Sequence, residues 1–483
     1  MPDACGRPVA GPRHGGFLGK VSEIFGIPFR AGAARFYLLA VTPMLLALNL
    51  VFVPFHAPDD FDHLKRAYTL AHGSLWPVTP PGQSSGGMID SALSQMIERQ
   101  RPAILDWPRA GPLRQPLGLP PSDRSQMRWS GETTYSEFPG AASYMPLLYA
   151  PQAAAIWAGE RYGLTLEQTV LLARLANGFT AAAVVTVALA SFPLGAASIL
   201  LLLLLPKTLV QFASNSADPV LHAATLCIVA FCVRSAVDGW TPRTRHFLLV
   251  AAGLFIIVGA RPPLLALTPL PLWVAWRSRN MVAAASLLAA AVLAVAWFGA
   301  VMPLITDLRC GPAEPLASKM LAFLRQGPVL IARSVWWHKT YYYKSFVGEL
   351  GWGNGPGSKL DEIPTWIYVA FIPLTGGAVA LDCGKGLGLP AVLRSVMLLC
   401  SLGMVVATFA AMYGVCTVPG SPAIGGVQGR YFMAPALLAI PALAGLLRPA
   451  PLLERCYLPM LFLFLAAGYG VLLSEGLRIY WMR

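Results

Sequence analysis

Long apolar segments that alternate with polar ones dominate this chain. Apolar runs of about 20 residues, the length that an α-helix needs to cross the hydrocarbon core of a bilayer, recur along it. A β-barrel would show short segments of alternating hydrophobicity instead. We therefore expect an all-α polytopic membrane protein with eleven transmembrane helices, at about 36–55, 170–191, 194–212, 219–237, 245–259, 262–276, 281–302, 364–381, 390–415, 431–447 and 456–474.

Two places leave the number of spans open. The turn Ala260-Arg261-Pro262-Pro263 separates two short apolar runs, which fit either two spans or one broken hairpin. The apolar segment at 143–158 is short and contains Pro146 and Pro151. We expect it to form a helix that lies in the membrane interface, with a short true span as the alternative.

Two polar segments are too long to be simple connections between spans. The first covers about residues 56–168 and is rich in Pro and Gly, and the second covers about 303–363. Structureless loops of this length are uncommon inside compact proteins. We expect both to be large extracytoplasmic loops, the first of them folded as a domain.

Basic residues set the predicted orientation. Residues 1–35 are rich in Arg and Lys, and such a flank keeps an N-terminus in the cytoplasm. The apolar run that follows is longer than a signal-peptide core and has no small-residue cleavage site after it, so we expect a retained helix. The basic connections near 243–245, 277–279, 385 and 448–455 then also lie inside, and residues 36–483 form the membrane domain.

Composition agrees with a membrane protein. Of the 483 residues, 56% are hydrophobic and only 12% are charged, and the mean hydropathy is +0.58. A soluble chain would carry about twice that charged fraction. The net charge of +13 does not indicate a nucleic-acid partner, because the Lys and Arg residues are scattered between spans. They fit topology signals and contact with anionic membrane lipid.

The eight cysteines show no CxxC pair and no Cys/His spacing typical of a metal site. In the predicted topology only Cys310 and Cys416 reach the oxidising side. We therefore predict a disulfide between the second large loop and the connection before Arg430.

The segment from Pro58 to Tyr68 places unusual charge directly after the first span. In a helix, Asp59, His63 and Arg66 stand at i, i+4 and i+7 and share a face, with Asp60 beside it. Charge at a bilayer boundary is costly unless it pairs, meets water or holds a ligand. The simpler alternative is that the acids complement a helix dipole. We interpret the segment as the reaction centre, because that alternative does not require His63 and Arg66.

Other polar residues collect at the same predicted face. They are Arg174, Asn177, Asn215, Asp218, Arg261, Glu349, Trp352, Gln428, Arg430 and Tyr431. Each arginine alone also fits an anchor at lipid headgroups. Asn215 and Asp218 also fit helix caps, and the aromatic residues at 335–343 fit an interfacial belt as well as a sugar-binding surface.

Together these residues indicate a pocket for a lipid-linked phosphate beside a proton acceptor. The planar donor fork of arginine matches phosphate oxygens and keeps its charge. A carboxylate can act as general base on a hydroxyl within hydrogen-bond reach, and fixed positive charge stabilises a departing phosphate.

The ordered motifs resemble those of a bacterial membrane family catalogued as a domain of unknown function, number 2142, which is related to the glycosyltransferase-C superfamily. The segment Pro58-Asp59-Asp60-x-x-His63-x-x-Arg66-Ala67 resembles the family signature Asp-Glu-x-x-His-x-x-Arg-Ala, with Asp60 where the family usually has Glu. The other matching stretches begin at Gly86, Tyr144, Arg174, Ala260, Gly351 and Gln428. They cover roughly residues 36–450.

The resemblance implies a fold like that of the glycosyltransferase-C enzymes, in the bacterial plasma membrane, with catalysis on the extracytoplasmic side. In that superfamily an acid of the first outer loop accepts a proton, and the donor is a sugar on a polyprenyl phosphate. Carried over, Asp59 or Asp60 would be the base, and Arg174, Arg261 and Arg430 would be candidates for the phosphate.

We therefore expect an inverting glycosyltransferase that moves a sugar from polyprenyl phosphate to a cell-envelope glycan or glycolipid. Asp59 and Asp60 would serve as base and partner, and His63 would orient one of them. Arg66 would pair with Asp62 or, with the other polar residues of this face, bind substrate. A divalent metal is compatible with the acids, although no ligand set in the sequence requires one.

The rival hypotheses are a transporter or flippase for the same lipid-linked glycans and a non-catalytic binding protein. A carrier places some buried charge near the membrane midplane, whereas an enzyme of this kind concentrates it at one face. Charges within the predicted spans are few, which favours the enzyme.

Overall fold

The computed structural model describes residues 31–105, 126–193, 197–310, 316–351, 363–383, 389–418, 420–444, 446 and 451–480. In chain order the elements are α1 (Ala31–Val51), α2 (Asp60–Ala71), β1 (Gly86–Asp90), α3 (Ser91–Leu105), β2 (Thr133–Glu137), α4 (Pro139–Ala142), α5 (Ala150–Arg161), α6 (Leu166–Ser191), α7 (Ala197–Leu203), α8 (Pro206–Phe212), α9 (Asp218–Val237), α10 (Thr244–Ala260), α11 (Pro269–Arg277), α12 (Met281–Val301), α13 (Leu316–Val347), α14 (Thr365–Cys383), α15 (Ala391–Cys416), α16 (Met433–Ala442) and α17 (Pro451–Tyr480). Short 3₁₀ helices are interspersed, among them Pro146–Tyr149, Pro262–Leu267 and Gly429–Phe432.

Seven of the described helices are long and apolar enough to cross a membrane, and they confirm a mostly helical membrane protein. They are α1, α6, α9, α12, α14, α15 and α17. Local signals fix some of their starts. Thr165 and Gln168 form a reciprocal capping box at the start of α6, and the side chain of Asn280 caps α12.

The other four predicted spans do not form described helices of 18 or more residues, so the count of eleven is not confirmed. The predicted span at 245–259 forms α10, a helix of 17 residues. The segment 194–212 was expected to be one helix, but its described part forms α7 and α8, of seven residues each, with Pro206 at the break. Proline cannot donate the helical hydrogen bond at that point. Prolines likewise divide 262–276 into a 3₁₀ helix and α11, and α16 has only ten residues.

A small antiparallel ribbon is a departure from the all-α expectation. Strands β1 and β2 pair from Gly86 opposite Glu137 to Asp90 opposite Thr133. Glycine is needed here because a Cβ at Gly86 would overlap the carbonyl oxygen of Ser136. Strand β1 lies between α2 and α3 in the chain, and the ribbon gives part of the segment at 56–168 a regular structure.

The segments at 143–158 and 303–363 contain packed helices. Helix α5 has only 12 residues and buries Ala153 and Ile156 against its neighbours, so it is too short for a span. Most of the described second segment is α13, a helix of 32 residues. The described part of the predicted second large loop is therefore largely helical, and the aromatic residues at 335–343 lie on this helix.

The elements pack around one extensive apolar core that includes residues of α1, α6, α8, α9 and α10. Close backbone contact supports it: a Cβ at Gly178 of α6 would overlap the carbonyl oxygen of Phe212 at the end of α8. The broken helices α7 and α8 are almost entirely buried in this core. The connection at 213–217, which follows α8, lies beside the start of α2, where the amide of Asn215 donates to Asp60.

Candidate functional site

A cavity of about 460 Å³ lies where the C-terminal ends of α12 and α15 meet the start of α2. Its polar lining comes from parts of the chain that are far apart in sequence, namely Asp59, His63, Ser143, Tyr144, Arg261, Asp307, Arg309, Thr408, Gln428, Arg430 and Tyr431. The rest of the lining is mostly apolar and includes Phe298, Met302, Leu316, Met320, Ala411, Met412 and Val415. The cavity therefore has a charged side and an apolar side.

Asp59 is the residue before α2, and its backbone has a left-handed conformation, with φ 61° and ψ 8°. Asp tolerates this conformation better than most residues other than glycine, but it is still uncommon. Such an outlier is more frequent at functional sites than elsewhere. Its side chain forms an ion pair with Arg430 and remains 30% exposed, so Asp59 combines a charged partner with access to the cavity.

Arg430 lies at the centre of the charged side. Its Nη2 pairs with Asp59, and its Nη1 lies 3.4 Å from Oδ2 of Asp218 and donates to the carbonyl of Pro58 at 3.3 Å. Burial alone would raise the pKa of Asp59, but the positive charge of Arg430 holds that pKa below its ordinary value. Asp59 is therefore ionised at neutral pH.

The backbone around Arg430 requires glycine at position 429. A Cβ on Gly429 would overlap the carbonyl oxygen of Tyr342 in α13. The amide of Gly429 donates to Oγ of Ser345 at 2.7 Å. Glycine thus lets the 3₁₀ helix approach α13 closely enough to aim Arg430 at the acids.

Asp218, the first residue of α9, forms ion pairs with both Arg261 and Arg430. Its Oδ1 lies 2.7 Å from Nη2 of Arg261, and its Oδ2 accepts a hydrogen bond from Gln211 at 2.5 Å. The ring of Tyr431 lies between the two arginines, with its centroid 4.9 Å from Cζ of Arg261 and 5.2 Å from that of Arg430. The negative charges of Asp59 and Asp218 therefore balance the positive charges of Arg261 and Arg430.

His63 lies one turn after Asp59 and also lines the cavity. Its Nδ1 and the hydroxyl of Tyr149 share a hydrogen bond of 2.7 Å. Burial lowers the pKa of His63 to about 4, because the charged ring would lose its hydration. The imidazole is therefore neutral at pH 7.

Arg309 is a lining residue that the sequence analysis missed. It pairs with Asp307 through Nη2 to Oδ2 at 2.8 Å and reaches Oδ2 of Asp62 at 3.4 Å. Its side chain is 42% exposed. Gly140 leaves room for it, since a Cβ there would lie 3.2 Å from its Nη2. Local spacing could not reveal the pair with Asp62, because the partners are distant in sequence.

Asp60, predicted as a second catalytic acid, faces away from the cavity. It is buried, and its two oxygens accept from the backbone amides of Asn215 at 2.8 Å and Phe55 at 3.1 Å. Burial raises the pKa of Asp60, opposed by the positive charge of Arg174 and these hydrogen bonds. The geometry gives Asp60 a positioning role, since it ties the turn before α2 to the connection after α8.

Arg66 and Arg174 also act through backbone carbonyls rather than at the cavity. Arg66 donates to the carbonyls of Leu75 at 2.8 Å and Tyr144 at 3.2 Å, while Asp62 pairs with Arg309 instead. The expected pair between Asp62 and Arg66 was therefore wrong. Arg174 donates to the carbonyls of Ala213 at 2.8 Å and Phe52 at 3.2 Å.

The remaining predicted residues have different outcomes. The backbone of Asn215 holds Asp60, and Glu349 is buried after α13, outside the described lining of the cavity. Trp352 lies outside the described residues. Cys416 lines the cavity, but the side chain of Cys310 is outside the described part, so their disulfide stays a prediction.

The titratable residues of the site are arranged as ion pairs rather than as a metal site. Within the part of the chain that the structure describes, no group of three or more His, Cys, Asp and Glu residues is arranged to hold a metal ion. The acids of the site instead pair with arginines. The site can accept a proton at Asp59, bind an anion at its arginines and hold an apolar group against its apolar lining.

Comparisons with known proteins place the chain in a family. Neither the comparison with curated proteins nor that with solved structures gave a match. The family described as "Predicted membrane protein (DUF2142)" matches residues 43–439, which cover most of the chain and include the lining residues from Asp59 to Tyr431. The chain therefore belongs to the DUF2142 family of membrane proteins.

Proposed function

We propose that this protein is an integral membrane glycosyltransferase. It transfers a sugar from a polyprenyl-phosphate donor to a cell-envelope glycan or glycolipid at the extracytoplasmic face of the bacterial plasma membrane. The proposal rests on one observation. A single cavity is lined by the carboxylate of Asp59, by the guanidinium groups of Arg261 and Arg430, and by apolar residues of candidate membrane-spanning helices.

The apolar wall suits a lipid-linked donor. Phe298 of α12 and Ala411 and Met412 of α15 line it, and both helices are candidate membrane spans. A lipid chain seated against these residues would stay in contact with the ends of helices that themselves lie in hydrocarbon. A cavity of about 460 Å³ has the size of a small-molecule site and holds the head of such a donor rather than its whole chain.

Arg261 has hydrogen-bond donors to spare for the phosphate. Among the described residues its side chain makes one ion pair, to Asp218, and it remains 15% exposed at the cavity. Arg430 is more fully engaged, because it already contacts Asp59, Asp218 and the carbonyl of Pro58. We assign the first contact with the phosphate to Arg261, with Arg430 beside it.

Asp59 serves as the general base in this proposal. It would accept the proton of the acceptor hydroxyl while that oxygen bonds to the anomeric carbon and the bond from carbon to phosphate oxygen breaks. The phosphate leaves with the electron pair, and the arginines stabilise its negative charge. This single displacement inverts configuration at the anomeric carbon.

The ion pair between Asp59 and Arg430 also couples donor binding to the strength of the base. The pair lowers the pKa of Asp59, which makes the resting carboxylate a weak base. A donor phosphate competes for Arg430, so its arrival would raise the pKa of Asp59 when a sugar is in place. Proton acceptance is thereby favoured in the loaded site.

Replacement of Asp59 by Asn tests the proposal in the full-length protein. We expect at least a hundredfold loss of transfer, the usual size of a general-base contribution, with accumulation of polyprenyl-linked sugar and loss of the envelope product. Glu160→Gln is a matched control, because Glu160 pairs with His72 away from the cavity. Full transfer by an Asp59→Asn protein of normal yield would rule out this mechanism, and unchanged lipid-linked sugars in cells lacking the protein would rule out the activity.

A further inference from the structure

Helix α13 carries an unusual distribution of charge. Its 32 residues include five basic residues and no acidic one, the basic residues being Lys319, Arg325, Arg333, Lys339 and Lys344. At 1.5 Å per residue the helix is about 48 Å long. It is not among the described helices that are apolar enough to cross a membrane.

The ring contacts of α13 show that it runs across the bundle. The ring of Phe323 lies 5.6 Å from that of Tyr413, and the ring of Tyr342 lies 6.1 Å from that of Phe409. Between these two contacts the distance along the axis of α13 is about 28 Å, whereas the distance along the axis of α15 is only about 6 Å. Because α15 is a membrane span, α13 lies closer to the membrane plane than to its normal, at the end that holds the cavity.

Further hydrogen bonds hold α13 in this position along its length. Nζ of Lys319 donates to the carbonyl of Thr417 at the end of α15, at 3.3 Å. Oγ of Ser334 accepts from the amide of Ile424 at 2.8 Å. Tyr343 donates from its hydroxyl to the carbonyl of Tyr368 in α14. These contacts identify the face of α13 that packs on the bundle, and the opposite face points outward.

The outward face combines large apolar side chains with basic ones. Leu324 is 78% exposed and Trp336 is 69% exposed, and Leu321 and Trp337 are also exposed. Arg325, Arg333 and Lys339 are exposed on the same helix. Nζ of Lys339 lies 3.7 Å from the ring centroid of Trp336, so the cation and the indole form one unit.

We propose that the outward face of α13 is a binding surface for anionic phospholipid of the adjoining leaflet. A helix with basic residues beside Trp and Leu, and no acid, is typical of segments that lie in the interface. Lys and Arg attract anionic headgroups, while indole rings favour the boundary between headgroup and acyl chain. An anionic glycan would satisfy the charges but would leave Leu324 and Trp336 in water.

This surface would also position the site. Leu316 and Met320, near the start of α13, line the cavity. A Cβ at Gly414 of α15 would lie 2.9 Å from atoms of both, so the two helices fit closely there. Lipid bound along α13 would therefore fix one wall of the cavity. The proposal does not depend on the glycosyltransferase activity.

Quenching of Trp336 and Trp337 in lipid nanodiscs tests this surface. The probe is the full-length protein in brominated phosphatidylglycerol or brominated phosphatidylcholine, and the signal of interest is its emission minus that of a Trp336→Phe/Trp337→Phe protein. We expect brominated phosphatidylglycerol to reduce this difference by about twofold or more, and acrylamide in water to reduce it much less. Efficient quenching by acrylamide with none by brominated lipid would overturn the proposal.

The charge requirement is tested by lipid retention. We expect Arg325→Gln/Arg333→Gln/Lys339→Gln to retain severalfold less phosphatidylglycerol after purification, with phosphatidylcholine unchanged. Arg99→Gln/Arg128→Gln/Arg161→Gln removes three exposed charges from the first polar segment, at 56–168, and serves as the matched control. Equal retention by both triple variants would contradict the proposal, as would loss of a bound anionic oligosaccharide in place of lipid.

Discussion

Asp59 and Asp60 are adjacent in sequence but have different surroundings. Asp59 has a left-handed backbone and lines the cavity, whereas Asp60 turns inward to two backbone amides. Their roles therefore separate into chemistry and positioning. Spacing along the chain could not distinguish them, because it does not show that the backbone is left-handed at Asp59, with a φ of 61°.

We predict that Asp60→Asn lowers stability where Asp59→Asn does not. The amide would keep one acceptor but direct its NH₂ group at a buried backbone amide, which costs about 1–3 kcal/mol. Thermal unfolding of the two purified variants measures the difference. Equal melting temperatures for Asp60→Asn and Asp59→Asn would contradict the positioning role.

The buried neutral His63 predicts a loss of stability on acidification. Its pKa in the folded protein is about 4 because of burial, against about 6.5 for an exposed histidine. The unfolded chain therefore binds the proton first as pH falls. The stability that comes from the neutral ring is complete above pH 6.5 and is lost as pH falls towards 4.

Melting temperatures between pH 7 and pH 4.5 measure this effect. We expect His63→Asn to flatten the decline, by up to about 3 kcal/mol over the window. The remaining slope includes His56, whose pKa burial lowers to about 3. His72→Asn, at an exposed position, is the control. An unchanged pH dependence in His63→Asn would show that this ring does not titrate as expected.

At the scale of elements, glycines and prolines determine what hydropathy could not. Pro206 divides an apolar run into α7 and α8, and Gly86 allows the ribbon of β1 and β2 to form. The apolar pattern predicted seven spans that the structure supports, because a long uninterrupted run has few alternatives in lipid. It could not predict the short helices, since an apolar segment buried in protein resembles one buried in lipid.

The close approach of Gly429 to α13 gives a prediction at this scale. We expect Gly429→Ala to lower stability by about 1–3 kcal/mol, because the added Cβ overlaps the carbonyl oxygen of Tyr342 and displaces Arg430. Gly425→Ala is a matched control in the same connection, since its Cβ would meet the nearest atom, the carbonyl oxygen of Cys416, at an ordinary 3.5 Å. Thermal unfolding distinguishes them, and equal stability of the two variants would contradict the packing argument.

At the scale of the whole molecule, the site is assembled from elements distant in the chain. Local sequence indicated Asp59 and His63 through helical spacing, and Arg261 and Arg430 through charge in an apolar context. It gave no sign of Arg309, whose partner Asp62 is reached only after the chain has folded. It also grouped Arg174 with the substrate, although that side chain holds backbone carbonyls. Unusual residues were therefore found from sequence, but their partners were not.

Because the cavity joins α2, α12, α13 and α15, a ligand that binds there should stabilise the molecule as a whole. We predict that a short-chain polyprenyl phosphate raises the melting temperature, with a stabilisation of about 2.7 kcal/mol at a hundredfold excess over Kd. The same polyprenol without phosphate, and a hexose phosphate without lipid, should each have a smaller effect, since each engages only one side of the cavity. Arg261→Gln should reduce the shift given by the polyprenyl phosphate, whereas Arg128→Gln, at an exposed position whose guanidinium donates to the carbonyl of Gly163, should not. Equal shifts for polyprenol and polyprenyl phosphate, or an undiminished shift in Arg261→Gln, would mean that the charged side of the cavity does not recognise phosphate.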